Sequence, residues 1–125
     1  MLLHTSVLVV DDHADTRESV AALLGEAGHK TTLAQTGSEA LVLFERAEDL
    51  GLVIADIVMP GMSGFELAHR VKALRPRTPV LLMTGYAEYV DAVVNIGAVP
   101  LLKPFAASTL RRVVHESLDA SRAIA

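Results

Sequence analysis

Short apolar runs that alternate with amphipathic patterns are the feature of this sequence that most constrains its fold. Five runs rich in branched apolar residues are typical of strands that are mostly buried on both faces: Ser6 to Val10, Lys30 to Ala34, Leu52 to Ala55, Val80 to Met83 and Val99 to Leu102. Because a helical segment separates each strand from the next, we expect the strands to run parallel, with right-handed crossovers and helices on both faces of the sheet. The sequence therefore predicts an α/β fold.

Helical patterns fill the segments that follow the strands. In four of them the apolar residues lie on one helix face, at Val20, Leu23, Leu24 and Ala27, at Ala40, Leu43, Phe44 and Ala47, at Leu67, Val71 and Leu74, and at Leu110, Val113, Val114 and Leu118. The remaining segment, Glu88 to Ile96, is apolar on too many sides to define one buried face. We predict five helices, of which the fourth is the least regular.

Residues that start and stop helices agree with these boundaries. Two capping boxes begin helices, two glycines follow helix ends and one proline stops the third helix: Thr36 with Glu39, Ser63 with Glu66, Gly28, Gly97 and Pro76. This element order is compatible with a flavodoxin-like or a Rossmann-like sheet. With five strands, the prediction is a flavodoxin-like doubly wound sheet of order 2-1-3-4-5, formed by one domain that spans residues 1–125.

Composition excludes several classes of protein. The 125 residues carry 11 basic and 15 acidic side chains, well mixed, for a formal net charge of −4, which offers no basic surface for direct contact with nucleic acid. No apolar stretch reaches the roughly 18 residues of a membrane span, and the first residues lack the pattern of a secretory signal. Since cysteine is also absent, we expect a soluble protein of the reducing cytoplasm that makes no membrane contact.

Acidic residues end the two strands that should lie side by side at the centre of this sheet. Asp11 and Asp12 follow strand 1 and Asp56 follows strand 3, and ligands bind at such a switch point, beyond the carboxyl ends of the strands. Helix capping is the simpler interpretation of Asp12 alone, but it does not account for all three residues. Two carboxylates about 4 Å apart repel by roughly 4 kcal/mol at an effective dielectric constant of about 20. The cluster predicts a bound cation, and oxygen ligands completed by water and phosphate favour Mg²⁺ over Ca²⁺.

Two further polar residues follow strands 4 and 5 and should face the same crevice. Thr84 can donate a hydrogen bond and Lys103 is a compact positive charge, so together they predict a phosphoryl pocket beside the cation. Taken singly, Thr84-Gly85 is compatible with a plain turn and Lys103-Pro104 with a plain loop. The histidines show no metal-ligand spacing and are interpreted as surface residues, with only His13 near the site: His4, His13, His29, His69 and His115.

The strand ends thus carry a set of short motifs: Asp11-Asp12, then Asp56 followed by Met59-Pro60-Gly61-Met62-Ser63-Gly64, then Thr84-Gly85, then Lys103-Pro104-Phe105. This set resembles the receiver domain of two-component response regulators. The resemblance spans nearly the whole chain. It is specific because residues at four different strand ends must agree in type and order.

The resemblance implies that Asp56 is a phosphoacceptor, a nucleophile that takes a phosphoryl group from a phosphohistidine of a sensor histidine kinase or a histidine phosphotransfer protein. It also implies that Mg²⁺ is bound by Asp12, Asp56 and the backbone carbonyl of Val58, with Asp11 acting mainly through bound water. Such a protein is a phosphorylation-dependent regulator rather than a conventional enzyme. It still catalyses phosphotransfer to itself and its own slow dephosphorylation.

The same resemblance assigns Lys103 and Thr84 to the phosphoryl oxygens and implies a cis peptide bond between Lys103 and Pro104. Phosphorylation is then expected to shift the face formed by helix 4, strand 5 and helix 5, where an unknown downstream protein binds. Since the chain ends at Ala125, it is interpreted as a stand-alone receiver. The alternative is a receiver that forms part of a hybrid histidine kinase or a longer regulator.

Two other classes of protein share parts of this pattern. A flavin-binding flavodoxin-like module needs a loop rich in Ser, Thr and Gly after strand 1, and the acidic run Asp11 to Asp15 would repel the flavin phosphate. An aspartate-nucleophile phosphatase needs Asp-x-Asp after the first strand, and His13 occupies the second of those positions. Both alternatives therefore fit less well than the receiver domain.

One position departs from the pattern of the family. Many receivers carry Tyr or Phe three residues before the lysine, but this chain has Pro100 there, in a segment that is one residue shorter than usual. Because the segment is short, we expect a tight and stiff connection before strand 5, and proline fixes its own φ and restricts the preceding residue. No ring at this position can respond to Thr84. We therefore predict that backbone movement of the loop from Thr84 to Tyr86 and of helix 4 carries activation, with Tyr86 or Tyr89 replacing the missing ring.

Overall fold

The computed structural model describes residues 6–124, with side chains described as far as residue 121. Its elements are β1 (Ser6–Val10), α1 (Ala14–Glu26), β2 (Lys30–Ala34), α2 (Gly37–Arg46), β3 (Leu50–Asp56), α3 (Gly64–Leu74), β4 (Val80–Thr84), a 3₁₀ turn (Ala87–Tyr89), α4 (Val90–Asn95), β5 (Val99–Leu102) and α5 (Ala107–Ile124). The predictions for His4 and for the chain ends lie outside the described residues. Within residues 6–124, no helix combines the length and the apolar character that crossing a bilayer requires.

The five strands form one parallel sheet in the order β2-β1-β3-β4-β5. The predicted flavodoxin-like fold is therefore confirmed. Strand β3 is longer than the prediction, because it begins at Leu50 and ends at Asp56, and β4 extends to Thr84. Asp56 and Thr84 are thus the last residues of their strands, where the sheet still fixes their backbone.

Each face of the sheet is covered by its own hydrophobic core. Alternate residues of β1 divide between them, with Leu8 and Val10 in one core and Val7 and Val9 in the other, as the period of two in a strand requires. The first core includes residues of α2, α3 and α4, and the second includes residues of α1 and α5: Ala40, Phe44, Leu67, Val71 and Val93, then Val20, Leu24, Leu110 and Val114. The two cores hold the central strands rigidly from both sides.

Burial on both faces was predicted for the strands, and it holds for the central ones. Every residue of β1 and β4 is buried. The prediction is wrong for the edge strand β2, where Lys30 and Leu33 are exposed and Leu33 retains 39% of its accessible surface. An edge strand has a neighbour on one side only, so the helices do not cover it completely.

The predicted helix starts are confirmed in part. Thr36 and Ser63 are the N-caps of α2 and α3, and their hydroxyls accept hydrogen bonds from the N–H groups of Glu39 and Glu66 at 3.1 and 3.2 Å. The return hydrogen bond of the first capping box is shifted by one residue. The Glu39 carboxylate accepts from the N–H of Gln35 at 2.7 Å instead of from the N–H of the N-cap residue Thr36.

The fourth helix is as irregular as the sequence indicates. It begins as a 3₁₀ turn and continues as the short α4 to Asn95, and Gly97 follows with φ of 79°. Val93 is its buried residue, whereas Val94 and Ile96 remain 57% and 41% exposed. Apolar residues on several sides of this segment therefore reflect exposed side chains, and α4 is held to the core by little surface.

Arg75, directly after α3, ties two helices to the sheet. Its guanidinium lies 3.9 Å from the centre of the Phe44 ring, and it donates to the backbone oxygens of Phe44, Ala47 at 3.2 Å and Leu50 at 3.4 Å. These carbonyls belong to the end of α2 and the start of β3, where helical hydrogen bonding stops. One planar cation thus satisfies several acceptors and stacks on a ring at the same time.

We predict that Arg75→Lys lowers the free energy of unfolding by about 2 kcal/mol, because an ammonium group cannot reproduce the planar fork or its stacking. Urea unfolding followed by circular dichroism measures the change. Arg111→Lys, on an exposed position of α5, is the matched control and should change stability by less than about 0.5 kcal/mol. Equal stability of the two variants would contradict this role for Arg75.

Candidate functional site

The carboxyl ends of β1 and β3 bring four potential ligand residues together. Asp11, Asp12 and His13 follow β1, and Asp56 ends the neighbouring strand β3. One ligand atom from each of these residues can be chosen so that all lie within 4.8 Å of one another. The predicted convergence of the three carboxylates is confirmed, and the structure adds His13 to them.

Asp11 is held by hydrogen bonds on both its backbone and its side chain. Its N–H donates to the carbonyl of Ala34 at 3.2 Å, and its own carbonyl accepts from Arg17 Nη1 at 2.8 Å. Oδ1 accepts from the N–H of His13 at 2.9 Å. Oδ2 is buried with no hydrogen-bond partner, since Lys103 Nζ, 3.7 Å away, is beyond hydrogen-bond distance. Arg17 was not identified from the sequence, because nothing marks an arginine on α1 as a support for this loop.

Asp12 does not cap α1, although capping is the simpler interpretation of its sequence position. The N-cap residue is His13, and its side chain makes no capping hydrogen bond. Oδ1 of Asp12 is buried and has no hydrogen-bond partner; His13 Nδ1 lies 3.3 Å away, at ion-pair distance. The Asp12 carboxylate is therefore directed into the cluster instead of to the helix backbone.

Lys103 supplies a positive charge at the centre of the cluster. Its Nζ lies 3.2 Å from Asp56 Oδ1, within hydrogen-bond distance. Its backbone N–H donates to the carbonyl of Thr84 at 2.7 Å, which fixes the chain just before the cis peptide bond between Lys103 and Pro104. One ammonium group thus faces several carboxylates.

The pKa of the Asp56 carboxyl is raised above its usual range, chiefly because burial removes water from the charged form. Lys103 lowers this pKa by its charge and its hydrogen bond, and the charges of Asp11 and Asp12 raise it again. The net rise means that Lys103 does not fully offset the combined effect of burial and the neighbouring carboxylates. An additional positive charge would stabilise it.

The donor set fits a hard divalent cation. Two carboxylate oxygens, Asp11 Oδ2 and Asp12 Oδ1, are buried without hydrogen bonds, and buried charged oxygens without partners are costly. Carboxylate oxygens are the ligands that Mg²⁺ and Ca²⁺ prefer. The residues present are therefore suited to hold Mg²⁺.

Thr84 lies buried at the end of β4, the strand next to β3. Its Oγ1 accepts a hydrogen bond from the N–H of Tyr86 at 3.0 Å, which leaves the hydroxyl proton free to serve as a donor. Asp56 pairs with Met83, the neighbour of Thr84. The structure thus places Thr84 on the strand end adjacent to Asp56, as the sequence predicts.

Gly64, the first residue of α3, packs against the backbone of Asp56. A Cβ atom at this position would lie 2.4 Å from the carbonyl oxygen of Asp56 and 2.9 Å from Cα of Ile57. The Gly64 N–H also donates to the Ile57 carbonyl at 2.9 Å. Only glycine allows this approach, so the start of α3 fixes the backbone that carries Asp56.

In the same loop Val58 is 54% exposed. The role of its backbone carbonyl as a metal ligand stays a prediction.

Three aromatic rings lie beside the loop that follows β4. Tyr86 and Tyr89 make an edge-to-face contact with centroids 5.8 Å apart, and Tyr89 makes a second one with Phe65 of α3 at 6.0 Å.

Pro100 lies on the edge strand β5 and pairs with Leu82. The connection before β5 is tight, as predicted, since the N–H of Ala98 closes it on the α4 backbone at 3.1 Å.

The fold and the site define a class: a doubly wound parallel α/β domain with an acidic cleft at its switch point and a lysine and a threonine beside it. The chain belongs to the family of response regulator receiver domains, because the family model described as "Response regulator receiver domain" matches residues 7–115. Its predicted resemblance to this family is thereby confirmed.

Curated relatives agree with this assignment. The transcriptional regulatory protein FixJ of Bradyrhizobium diazoefficiens is 36% identical over 118 residues, which are 90% of this chain and 56% of FixJ. The C4-dicarboxylate transport transcriptional regulatory protein DctD of Rhizobium meliloti is 37% identical over 131 residues, 94% of this chain and 28% of DctD. The chain therefore spans between about a quarter and about half the length of these relatives.

Solved structures match over nearly the whole chain. A CheY-like response regulator receiver domain protein from Methanospirillum hungatei is 30% identical, with a TM-score of 0.90 over 98% of this chain and 99% of that one. A receiver domain protein from Clostridium thermocellum has a TM-score of 0.92 over 97% and 99% of the two chains. At 24% identity, the second match shows the fold alone.

We predict that Asp56→Asn raises the free energy of unfolding by about 1 kcal/mol at neutral pH in the presence of EDTA. The substitution removes one buried charge and its repulsion by neighbouring carboxylates, and the lost attraction to Lys103 offsets this gain only in part. The pKa of Asp56 is raised in the folded state, so protonation of its carboxyl stabilises the fold. This stabilisation is fully present below the pKa of the unfolded chain and is lost as the pH rises through the folded value.

The advantage of the variant should consequently shrink as the pH is lowered, and it should be smallest near about pH 3, below the unfolded pKa of about 3.9, where the carboxyl is mostly neutral in both states. Urea unfolding at a series of pH values, with Glu18→Gln on an exposed position of α1 as the control, measures this difference. An Asp56→Asn variant that is less stable than the wild type in EDTA would show that the charge of Asp56 is fully compensated.

Proposed function

We propose that this chain is a cytoplasmic phosphoacceptor switch of a two-component phosphorelay, in which Asp56 accepts a phosphoryl group from a phosphohistidine of a sensor histidine kinase or a histidine phosphotransfer protein. One observation carries the proposal: Asp56 contacts Lys103 at 3.2 Å inside a carboxylate cluster in which two buried oxygens lack hydrogen bonds. A site with this charge distribution can hold a divalent ion and an anionic group side by side.

In this proposal Asp12, Asp56 and the backbone carbonyl of Val58 hold Mg²⁺, and Asp11 acts mainly through bound water. Receiver domains are Mg²⁺-dependent in general, and the buried oxygens of Asp11 and Asp12 support the same requirement here. When bound, the ion supplies positive charge that neutralises the incoming phosphoryl oxygens. The chain itself supplies a fixed, partly buried arrangement of ligands.

Asp56 is the nucleophile of the proposed reaction. A carboxylate oxygen forms a bond to phosphorus while the bond between phosphorus and the donor imidazole breaks, and the electron pair of that bond returns to the imidazole nitrogen. The product is an aspartyl phosphate. The side chain of Asp56 is 11% exposed, so the protein fixes the carboxylate in place, and positioning contributes much of the catalysis.

Lys103 and Thr84 are proposed to bind the transferred group. Lys103 already contacts the nucleophile, and phosphorylation would transfer that contact to a phosphoryl oxygen. Thr84 has a free hydroxyl proton to donate, since its oxygen accepts from Tyr86. Movement of Thr84 toward the phosphoryl group would break or stretch this hydrogen bond and move the following loop.

Pro100 leaves no ring in β5 to follow Thr84, so we propose that the loop from Thr84 to Tyr86 and helix α4 carry the change to the face of α4, β5 and α5. The contact between the rings of Tyr86 and Tyr89 links this loop to α4 and supports the proposal. A shift from about 1% to 99% of the active state requires roughly 5.5 kcal/mol. This exceeds what one loop contact supplies, so several contacts must contribute. A downstream protein would bind the shifted face.

We predict that phosphorylation occurs at Asp56 and requires a divalent ion. After incubation with acetyl phosphate or a phosphorylated kinase and Mg²⁺, intact mass should rise by one phosphoryl group in the wild type and remain unchanged in Asp56→Asn, because the amide is not a nucleophile. EDTA should abolish the change in the wild type. Full labelling of Asp56→Asn would refute the assignment of the phosphoacceptor.

Two control measurements separate this proposal from the other classes. A flavin-binding module would show absorbance near 450 nm after purification, and an aspartate-nucleophile phosphatase would turn over small phosphomonoesters. We expect neither result. The acidic residues Asp11 and Asp12 repel a flavin phosphate, and His13 replaces the second aspartate of the phosphatase pattern.

We predict that Lys103→Ala separates phosphorylation from the change in shape. The variant should still be labelled in the presence of Mg²⁺, but Thr84, Tyr86 and α4 should show much smaller phosphorylation-dependent NMR shifts, because the group that connects β5 to the phosphoryl oxygens is missing. Beryllofluoride with Mg²⁺ provides a stable phosphoryl mimic for the measurement. Shifts equal to those of the wild type would show that Lys103 has no part in the response.

A further inference from the structure

His13 is the residue of the acidic cluster to which the proposed reaction assigns no role. Its imidazole is 70% exposed, yet Nδ1 lies 3.4 Å from Asp11 Oδ1 and 3.3 Å from Asp12 Oδ1. The ring therefore stands at the open rim of the cluster. The sequence interpretation of His13 as an ordinary surface residue describes its exposure but not these contacts.

The backbone of His13 is fixed by the structure on both sides. Its N–H donates to Asp11 Oδ1 at 2.9 Å, and its carbonyl accepts from the N–H of Arg17 at 3.0 Å as α1 begins. The side chain makes no capping hydrogen bond. The position of Cβ is thus defined, and the ring already lies against the carboxylates of Asp11 and Asp12.

A second observation points to a ligand at this place. The Asp11 side chain is completely buried, and while its Oδ1 is occupied by the His13 N–H, its Oδ2 has no hydrogen-bond partner. Asp12 Oδ1 is also buried without a hydrogen-bond partner. One free carboxylate oxygen, Asp12 Oδ1, thus lies 3.3 Å from the imidazole nitrogen, and the free Oδ2 of Asp11 lies in the same cluster, 3.7 Å from Lys103 Nζ.

The distances agree with one shared metal ion. Adjacent ligands of an octahedral ion with bonds of about 2.1 Å lie about 3 Å apart, and opposite ligands about 4.2 Å apart. The His13 nitrogen lies 3.3 Å from Asp12 Oδ1 and 3.4 Å, at hydrogen-bond distance, from Asp11 Oδ1, and the set lies within 4.8 Å, slightly wider than the octahedral limit. Side-chain movements of a few tenths of an ångström, small on the scale of thermal motion, would complete the geometry.

We propose that His13 is a nitrogen ligand of the metal ion at this site, and that it makes the site favour a first-row transition ion such as Mn²⁺ or Co²⁺ over Mg²⁺. This inference rests on the proposed function, which places a divalent ion on Asp12 and Asp56. Imidazole binds transition ions well, whereas Mg²⁺ retains oxygen ligands and water. His13 thereby controls which ion supports phosphorylation.

Pulsed electron paramagnetic resonance of the Mn²⁺-loaded chain tests the proposal directly. We expect nitrogen-14 modulation from a directly bound imidazole in the wild type and its loss in His13→Ala. The matched control is His115→Ala, because His115 is 76% exposed and also faces a carboxylate, with Nε2 3.1 Å from Asp119. The control should retain the nitrogen signal.

Metal titrations of the same proteins give the selectivity. His13→Ala should weaken Co²⁺ binding at least about tenfold, a loss found even when only a group that supports a metal ligand is removed. Mg²⁺ binding should change less than about twofold, since Mg²⁺ keeps water in that position. The ratio of the two affinities therefore isolates the nitrogen ligand from general damage to the site.

Three results would overturn the inference: Mn²⁺ that binds the wild type without nitrogen modulation, modulation that persists in His13→Ala, or equal losses of Co²⁺ and Mg²⁺ affinity. In each of these cases the metal site and the proposed function stand. A wild-type chain that binds neither Mn²⁺ nor Mg²⁺ would instead overturn the metal requirement of the proposed function, and this inference with it.

Discussion

The burial of several carboxylates against one lysine is the interaction on which the site depends. Lys103 Nζ lies 3.2 Å from Asp56 and 3.7 Å from the completely buried Asp11, and Asp12 adds its charge from the same crevice. Fewer positive than negative charges in a poorly solvated place leave an unfavourable balance. Burial is the main reason that the pKa of Asp56 is raised, and the charges of Asp11 and Asp12 add to the rise while Lys103 opposes it. A bound cation would relieve it and would also offset the negative charge of an incoming phosphoryl group.

The rest of the molecule divides into a part that resists this repulsion and a part that can respond to it. The buried strands β1, β3 and β4 fix the backbone at the strand ends that carry the carboxylates, and Gly64 fixes the backbone of Asp56 by close contact. By contrast, α4 is short and has Val93 as its buried residue. Elements with few buried contacts open at low free-energy cost, so α4 is suited to move while the sheet stays in place.

Much of the site could be predicted from residue type and position. Parallel strands place their carboxyl ends at one edge of a sheet, so Asp11, Asp56 and Lys103 could be brought together before any coordinates were known. The contribution of Arg75 could not, because its partners are backbone carbonyls 25 to 31 residues away. Gly64 was part of a recognised motif, yet its physical reason, a carbonyl 2.4 Å from any Cβ, exists only in the folded chain.

The sequence by itself determined the element order, the strand order and the identity of the acidic and basic residues at the strand ends, because alternating patterns and topological rules act locally or along the whole sheet. The tertiary structure decided which atoms of those residues are free. His13 rather than Asp12 is the N-cap residue of α1, and Asp11 Oδ2 lacks a hydrogen bond. The exposed His13 ring lies against the carboxylates of both Asp11 and Asp12. Whether a polar atom finds a hydrogen-bond partner depends on differences of a few tenths of an ångström in the distances between separate segments. A pattern of residue types along one chain does not contain these distances.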